Sequence, residues 1–338
     1  MTAIGRGAAI FGCDGPVLGA AEAAFFRDYD PFGFILFARN VETPDQLRRL
    51  TGDLRAAVGR DAPVLVDQEG GRVQRLRAPH WREWLPPLDL VQAAGDRAAQ
   101  AMALRYRILA AELRSVGIDA NCAPCADVTG PMTHPFLRNR CYGDDPAQVT
   151  RIARAVAEAH LAMGVLPIVK HMPGHGRSAV DTHHDLPTVT VDRAALTTTD
   201  FAPFRALADL PIAMTAHLVF TAYDPVNPAT HSPAMIRAIR DEIGFHGLLV
   251  TDDLNMQALS GTLAERASRS IAAGCDIALH CKGDLAERQA VAVAAGNMGE
   301  LTQARAKAAL ARRSTPQAVD IPELEAELAA LLPELAHA

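Results

Sequence analysis

GVLPIVKHMPGHG, residues 164–176, carries in one short run the features that decide the fold. Gly164 stands where a helix would end in the left-handed conformation that glycine adopts without strain. Val165 to Val169 is apolar and rich in β-branched residues, as a strand covered on both faces must be. Immediately beyond it Lys170, His171 and His175 fall among Pro173, Gly174 and Gly176, so polar side chains sit on a loop at the strand's C-terminal end. Upstream, Ile152, Val156, Ala159 and Met163 recur at helical spacing on one face. The unit is helix, buried strand, reactive loop.

The unit repeats in both directions. Strands are predicted over Ala8–Cys13, Gly33–Phe37, Pro63–Asp67, Ile118–Cys122, Val165–Val169, Ile212–Ala216, Gly247–Thr251 and Asp276–His280. Between them lie amphipathic stretches with helix signals. Thr43 can cap a helix with Pro44 at its first position and Gln46 at N3, before Leu47, Leu50, Leu54 and Val58 on one face. Gly117, like Gly164, ends a helix and precedes a strand at once. Strands and helices alternate strictly, which predicts a parallel sheet covered by helices. Eight repeats favour closure into a single (β/α)8 barrel. An open doubly wound sheet is the alternative, but no G-x-G-x-x-G turn follows the first strand.

The 338 residues are 49% hydrophobic, enough for a large core. No repeat in residue identity and no interdomain linker is evident, so one catalytic domain is expected over 1–338, with a last helix at about 321–338 packed outside the barrel. The formal charge is -6 with both signs interspersed, which excludes the basic footprint of a nucleic-acid binder. No stretch approaches the ~20 apolar residues of a membrane span, and the N-terminus lacks an apolar signal region. Cys13, Cys122, Cys125, Cys141, Cys275 and Cys281 are scattered mostly within apolar runs, as suits a reducing cytoplasm. Cys122 and Cys125 form a C-x-x-C without a second pair and read as buried packing.

Catalysis on such a barrel is built where the strands end. There the third strand is followed by Asp67-Gln68-Glu69-Gly70-Gly71-Arg72-Val73-Gln74-Arg75, the sixth by His217, and the seventh by Asp252-Asp253-Leu254-Asn255-Met256. Asp67 or Glu69 alone would pass for a loop carboxylate in a salt bridge, and His217 for either a satisfied histidine at the core's edge or a sugar contact. His171, His175, His183 and His184 with Asp181 and Asp185 are harder to set aside. They raise a metal-dependent hydrolase as a competing class, although the prolines and glycines among them forbid the helix of an H-E-x-x-H site.

KHMPGHG, then DTHHDLP, then TDDLNM after a GLLV strand, together with LFARN at Leu36–Asn40, DQEGGRVQR at Asp67–Arg75, NRCYGDDP at Asn139–Pro146 and AGCDIALHC at Ala273–Cys281, resemble glycoside hydrolase family 3. More narrowly the chain resembles the family's bacterial cytoplasmic β-N-acetylglucosaminidases of peptidoglycan recycling. The resemblance spans nearly the whole chain in order. It implies a (β/α)8 barrel, a retaining reaction and no cofactor or metal. By matching motif, Asp252 would be the nucleophile, His183 with Asp181 the acid/base pair in a D-[ST]-H motif, and Asp67, Arg75, Arg140, Lys170 and His171 the sugar-binding residues. Around Arg140 the family has R-S-F-G where this chain has R-C-Y-G. The implied substrate is a muropeptide, N-acetylglucosamine β-1,4-linked to 1,6-anhydro-N-acetylmuramic acid; the chain is compatible with a monomer. A β-glucosidase or β-xylosidase, a phosphorylase using phosphate in place of water, and a sugar-binding barrel without activity are the other readings.

Overall fold

The computed structural model describes residues 3–180 and 185–332. Eight parallel strands close into a barrel: β1 (Gly7–Gly12), β2 (Pro31–Leu36), β3 (Val64–Val66), β4 (Ala120–Asn121), β5 (Leu166–Met172), β6 (Ile212–Thr215), β7 (Leu248–Asp253) and β8 (Ile277–His280). Each pairs with its neighbours in chain order, and β1 closes on β8 through Ala9 opposite Ala278 and Phe11 opposite His280. Residues of β1 to β6 are buried without exception, the pattern of strands with side chains inside and helices outside.

The helix signals read as expected. Thr43 caps the helix Pro44–Val58 by accepting from the Gln46 backbone N–H, and Leu47, Leu50 and Leu54 are buried beneath it, each contributing roughly 1.5–3 kcal/mol by leaving water. The Gln46 side chain does not return to Thr43. It accepts from the Glu42 N–H and donates to the carbonyls of Pro16 and Asn40, so it also pins the loop after β1. Gly164 has φ 68 and follows the helix Pro146–Ala162; a Cβ there would lie 2.5 Å from the Ser314 carbonyl, so both conformation and space demand glycine.

Three departures from the predicted strands bear on the site. β4 is short because Pro124 lacks a donor and Asn121 turns its carboxamide onto the backbone of Gln68, accepting its N–H at 2.9 Å and donating to its carbonyl at 3.0 Å. Hydrogen bonding to β5 nevertheless continues, the carbonyls of Ala123 and Pro124 accepting the Ile168 and Lys170 N–H groups and the Ala126 N–H donating to the Lys170 carbonyl. β5 and β7 run longer than predicted, to Met172 and Asp253, so Lys170, His171 and Asp252 lie on strands rather than loops. Strict alternation also fails. Thr188–Val189 pairs with Val219–Phe220 in a separate two-stranded ribbon that joins the loops after β5 and β6.

The last helix, Ile321–Leu331, packs outside the barrel against the helix Ala98–Ser115, burying Leu324, Leu328 and Leu331. Residues 333–338 of the tail fall outside the described part. Among the described residues no helix is long and apolar enough to cross a membrane.

Candidate active site

The C-terminal ends of β3, β5 and β7 open into one cavity of ≈ 300 Å³, lined among others by Asp67, Arg75, Arg140, Lys170, His171 and Asp252. Those are all the predicted site residues that lie in the described part. Asp181 and His183 lie outside the described residues; Val180, the last described position before them, lines the cavity.

The cationic side chains are tied to carboxylates. Lys170 Nζ, on β5, lies 2.8 Å from Asp67 Oδ1 and 2.5 Å from Glu69 Oε1. Arg140 reaches Glu69 as a fork, Nε to Oε2 at 2.9 Å and Nη2 to Oε1 at 2.8 Å. Arg75 adds a contact to Asp67 at 3.4 Å. The Glu69 side chain is 1% exposed, so its charge is sustained only by these partners. Burial pushes the Glu69 carboxyl up, but Arg140 and Lys170 outweigh it and hold the pKa at about 2. Asp67 obeys the same balance: burial is overcome by Lys170 and Arg75, and it stays ionised well below the usual carboxylate range. Lys170 is correspondingly held above its ordinary value, the two carboxylates prevailing over burial. The cations that line the cavity are therefore already paired with carboxylates and oriented by them.

Asp252 stands apart from that network. Its Oδ1 accepts the Asp253 N–H at 2.8 Å, and its Oδ2 lies 4.0 Å from His171 Nε2. Burial alone would raise its pKa, yet the His171 and His217 rings, the Asp253 N–H and the Lys170 ammonium more than compensate and leave it lowered. An ionised carboxylate facing a cavity is what a nucleophile requires. Asp253 is instead engaged by the backbone, its Oδ1 accepting the N–H groups of Asn255 and Cys281, and burial raises its pKa to about 6.

His171 is oriented from behind by Asp127. Nδ1 lies 2.7 Å from Asp127 Oδ2, while Asp127 Oδ1 accepts the backbone N–H groups of His171 at 3.1 Å and His175 at 2.7 Å. An ionised carboxylate can only accept, so Nδ1 carries the proton and Nε2 is the nitrogen turned to the cavity. Asp127 is ionised because His171 overcomes the effect of burial. His217 is fully engaged, with Nδ1 2.7 Å from Thr230 Oγ1 and Nε2 3.1 Å from the Asp253 carbonyl. Of its two readings, the satisfied histidine at the core's edge is the one that fits, and it supports the backbone next to Asp252.

Glu69 and Asp127 were not among the predicted site residues. Glu69 lies within a quoted motif but is indistinguishable there from a loop carboxylate. Asp127 follows the fourth strand near the barrel's C-terminal end, where Asp67 and Asp252 follow or end theirs, a positional signal that would have found it.

A closed parallel barrel with an ionised carboxylate in a cavity at its strands' C-terminal ends, among groups suited to hydroxyls, fits a glycoside hydrolase, and the comparisons with known proteins show that it is one. Residues 19–315 match the N-terminal domain of glycosyl hydrolase family 3. The chain belongs to that family, and within it to the β-hexosaminidase branch. It is 38% identical over 284 residues to the β-hexosaminidase of Alkalilimnicola ehrlichii, covering 81% of this chain and 80% of that protein. A family 3 β-N-acetylglucosaminidase from Paenibacillus sp. superposes with a TM-score of 0.85 at 29% identity, covering 96% of this chain and 67% of that one. Neisseria gonorrhoeae NagZ, solved with N-trifluoroacetyl-D-glucosamine, gives a TM-score of 0.79 at 28% identity over 98% of this chain and 100% of that one.

Proposed function

We propose that the chain is a retaining exo-β-N-acetylglucosaminidase in which Asp252 is the nucleophile and His183, paired with Asp181, the acid/base. The observation that carries this reading is the contrast among the cavity's described carboxylates. Asp67 is committed to Lys170 and Arg75, Asp253 to backbone N–H groups, and Asp252 alone faces the cavity ionised and without a cation bonded to it. Retaining enzymes with two carboxyl groups hold them about 5–5.5 Å apart. In this reading a histidine takes the place of the second carboxyl: the match of Asp181-Thr182-His183 to the D-[ST]-H motif assigns the proton donor to His183.

Asp252 attacks the anomeric carbon, forming an ester as the glycosidic bond breaks, and His183 gives its proton to the leaving oxygen. His183 then takes a proton from water, whose oxygen displaces Asp252 and restores the free enzyme with retained configuration. Asp181 favours the imidazolium in the first step, and the neutral imidazole of the second keeps another anion away from Asp252. Asp67 and His171 Nε2 accept from sugar hydroxyls, while Lys170, Arg140 and Arg75 donate to them and hold the ring for attack.

The substrate in this reading is a muropeptide whose terminal N-acetylglucosamine is removed during cell-wall recycling in the cytoplasm, by one domain and without cofactor. The names borne by the relatives support the sugar. Release of 4-nitrophenol from the β-glycosides of N-acetylglucosamine, glucose and xylose tests it: preference for the N-acetyl sugar, unaffected by chelator, is expected. Preference for glucose or xylose, or loss of activity with chelator, overturns it.

A further inference from the structure

Behind the cavity wall lies a cluster that the glycosidase reading leaves unused. Cys125, just past β4, and Cys141, next to Arg140, bring their sulfurs to 3.9 Å, and Cys125 Sγ lies 3.3 Å from Asp127 Oδ2. All three residues are buried, and one ligand atom from each falls within 4.8 Å of the others. Zinc-class cations bind thiolate at about 2.3 Å and carboxylate at about 2.0 Å in tetrahedral geometry, which sets sulfur–sulfur edges of about 3.8 Å and sulfur–oxygen edges of about 3.5 Å. The observed separations match both edges. Both contacts of Cys125 are thus already spaced as such a site requires, and the Cys141 and Asp127 ligand atoms lie within 4.8 Å of each other.

We propose that Cys125, Cys141 and Asp127 form a binding site for a thiophilic divalent cation, and that its occupation switches off the active site through His171. Binding replaces two S–H protons, which leave to solvent, by two metal–sulfur bonds, with the Asp127 carboxylate as third ligand. Asp127 Oδ2 is the atom that now holds His171 Nδ1 at 2.7 Å. An ion taking that oxygen removes the group that fixes the ring beside Asp252. Cys141 is joined directly to Arg140, the fork on Glu69, so the sugar-binding network also feels the site.

Access and charge both fit. Leu137 forms a small apolar cluster with the two cysteines and also lines the active-site cavity, so the cluster lies directly behind the cavity wall. With metal bound, the nearby Arg140 guanidinium favours the anionic thiolates.

Cadmium titrated into the full-length, metal-free protein provides the test, because cadmium–thiolate bonds add an ultraviolet charge-transfer absorption that histidine or carboxylate sites do not. The expected result is absorption saturating at one ion per chain, in step with loss of chromogenic activity. Cys141→Ser should keep its metal-free activity, lose the absorption and need at least ~10-fold more cadmium for inhibition; Cys125→Ser should repeat the spectroscopic result. Absence of the absorption from the unsubstituted protein, or its persistence in both variants, would overturn the proposal. The absorption is read without substrate, so a wrong assignment of the sugar leaves this test intact.

Discussion

Asp127 and His171 are locked to each other twice, by a side-chain contact of 2.7 Å between Oδ2 and Nδ1 and by the His171 N–H donating to Oδ1 at 3.1 Å. The carboxylate thereby sets both the ring's tautomer and its distance from Asp252. Asn at position 127 could still accept the backbone N–H, but its NH₂ would confront Nδ1–H and force the ring to turn or to change tautomer. Asp127→Asn is expected to lower kcat/KM roughly 10- to 100-fold, the cost of a displaced positioning group, with little change in circular dichroism. Unchanged kinetics would show that His171 needs no such partner.

Glu69 is the buried anion on which Lys170 and Arg140 converge. Glu69→Gln leaves two buried cations with too little negative charge, and breaking such a pair costs about 3–5 kcal/mol. Urea unfolding should show a loss of that order, accompanied by a raised KM because the cations that the proposed function assigns to sugar binding lose their anchor. A stability change below about 1 kcal/mol would mean that the network is solvated rather than sealed.

Asp253 gives a pH signature. Its folded pKa is raised from 3.8 to about 6, burial being the main cause, so the protein prefers it protonated. That contribution to stability is complete below the unfolded pKa of 3.8 and is lost as pH rises through 6. Asn at this position is neutral throughout and keeps an oxygen for the Asn255 and Cys281 N–H groups. Asp253→Asn should therefore gain on the order of 2–3 kcal/mol relative to the parent at pH 8 but nothing at pH 4, read from urea midpoints at both values. Equal differences at both would show that Asp253 is ionised without cost.

His183 is assigned to proton transfer by its motif, and the leaving group reveals whether it does that. Natural glycosides need protonation of the departing oxygen, whereas 4-nitrophenolate departs with little help. His183→Ala should lose ~10²–10⁴-fold on a disaccharide and much less on the bond-cleavage step of the aryl glycoside. Equal losses on both would contradict an acid role.

The barrel was legible because apolar, β-branched runs are what strands buried on both faces require, and Gly117 and Gly164 marked helix ends by their conformation. The two-stranded ribbon was not, because pairs as short as Thr188–Val189 and Val219–Phe220 have no periodicity to detect. Within the site, Asp252, Asp67 and Lys170 announced themselves as charges at the ends of apolar runs. Glu69 did not, since what distinguishes it from a loop carboxylate is burial against Arg140 and Lys170, contacts made only when distant parts of the chain meet. The partnership of Cys125 with Cys141 rather than with Cys122 was hidden for the same reason.

A covalent bond from Asp252 to the sugar is the step on which the proposed reaction stands. Incubation with a 5-fluoro-N-acetylglucosaminyl fluoride, which slows release of the glycosyl-enzyme more than its formation, followed by intact-mass analysis and peptide mapping, tests it directly. One added glycosyl residue per chain is expected, carried on the peptide containing Asp252 and absent from Asp252→Asn. A label on another carboxylate, with Asp252→Asn still labelled, would contradict it.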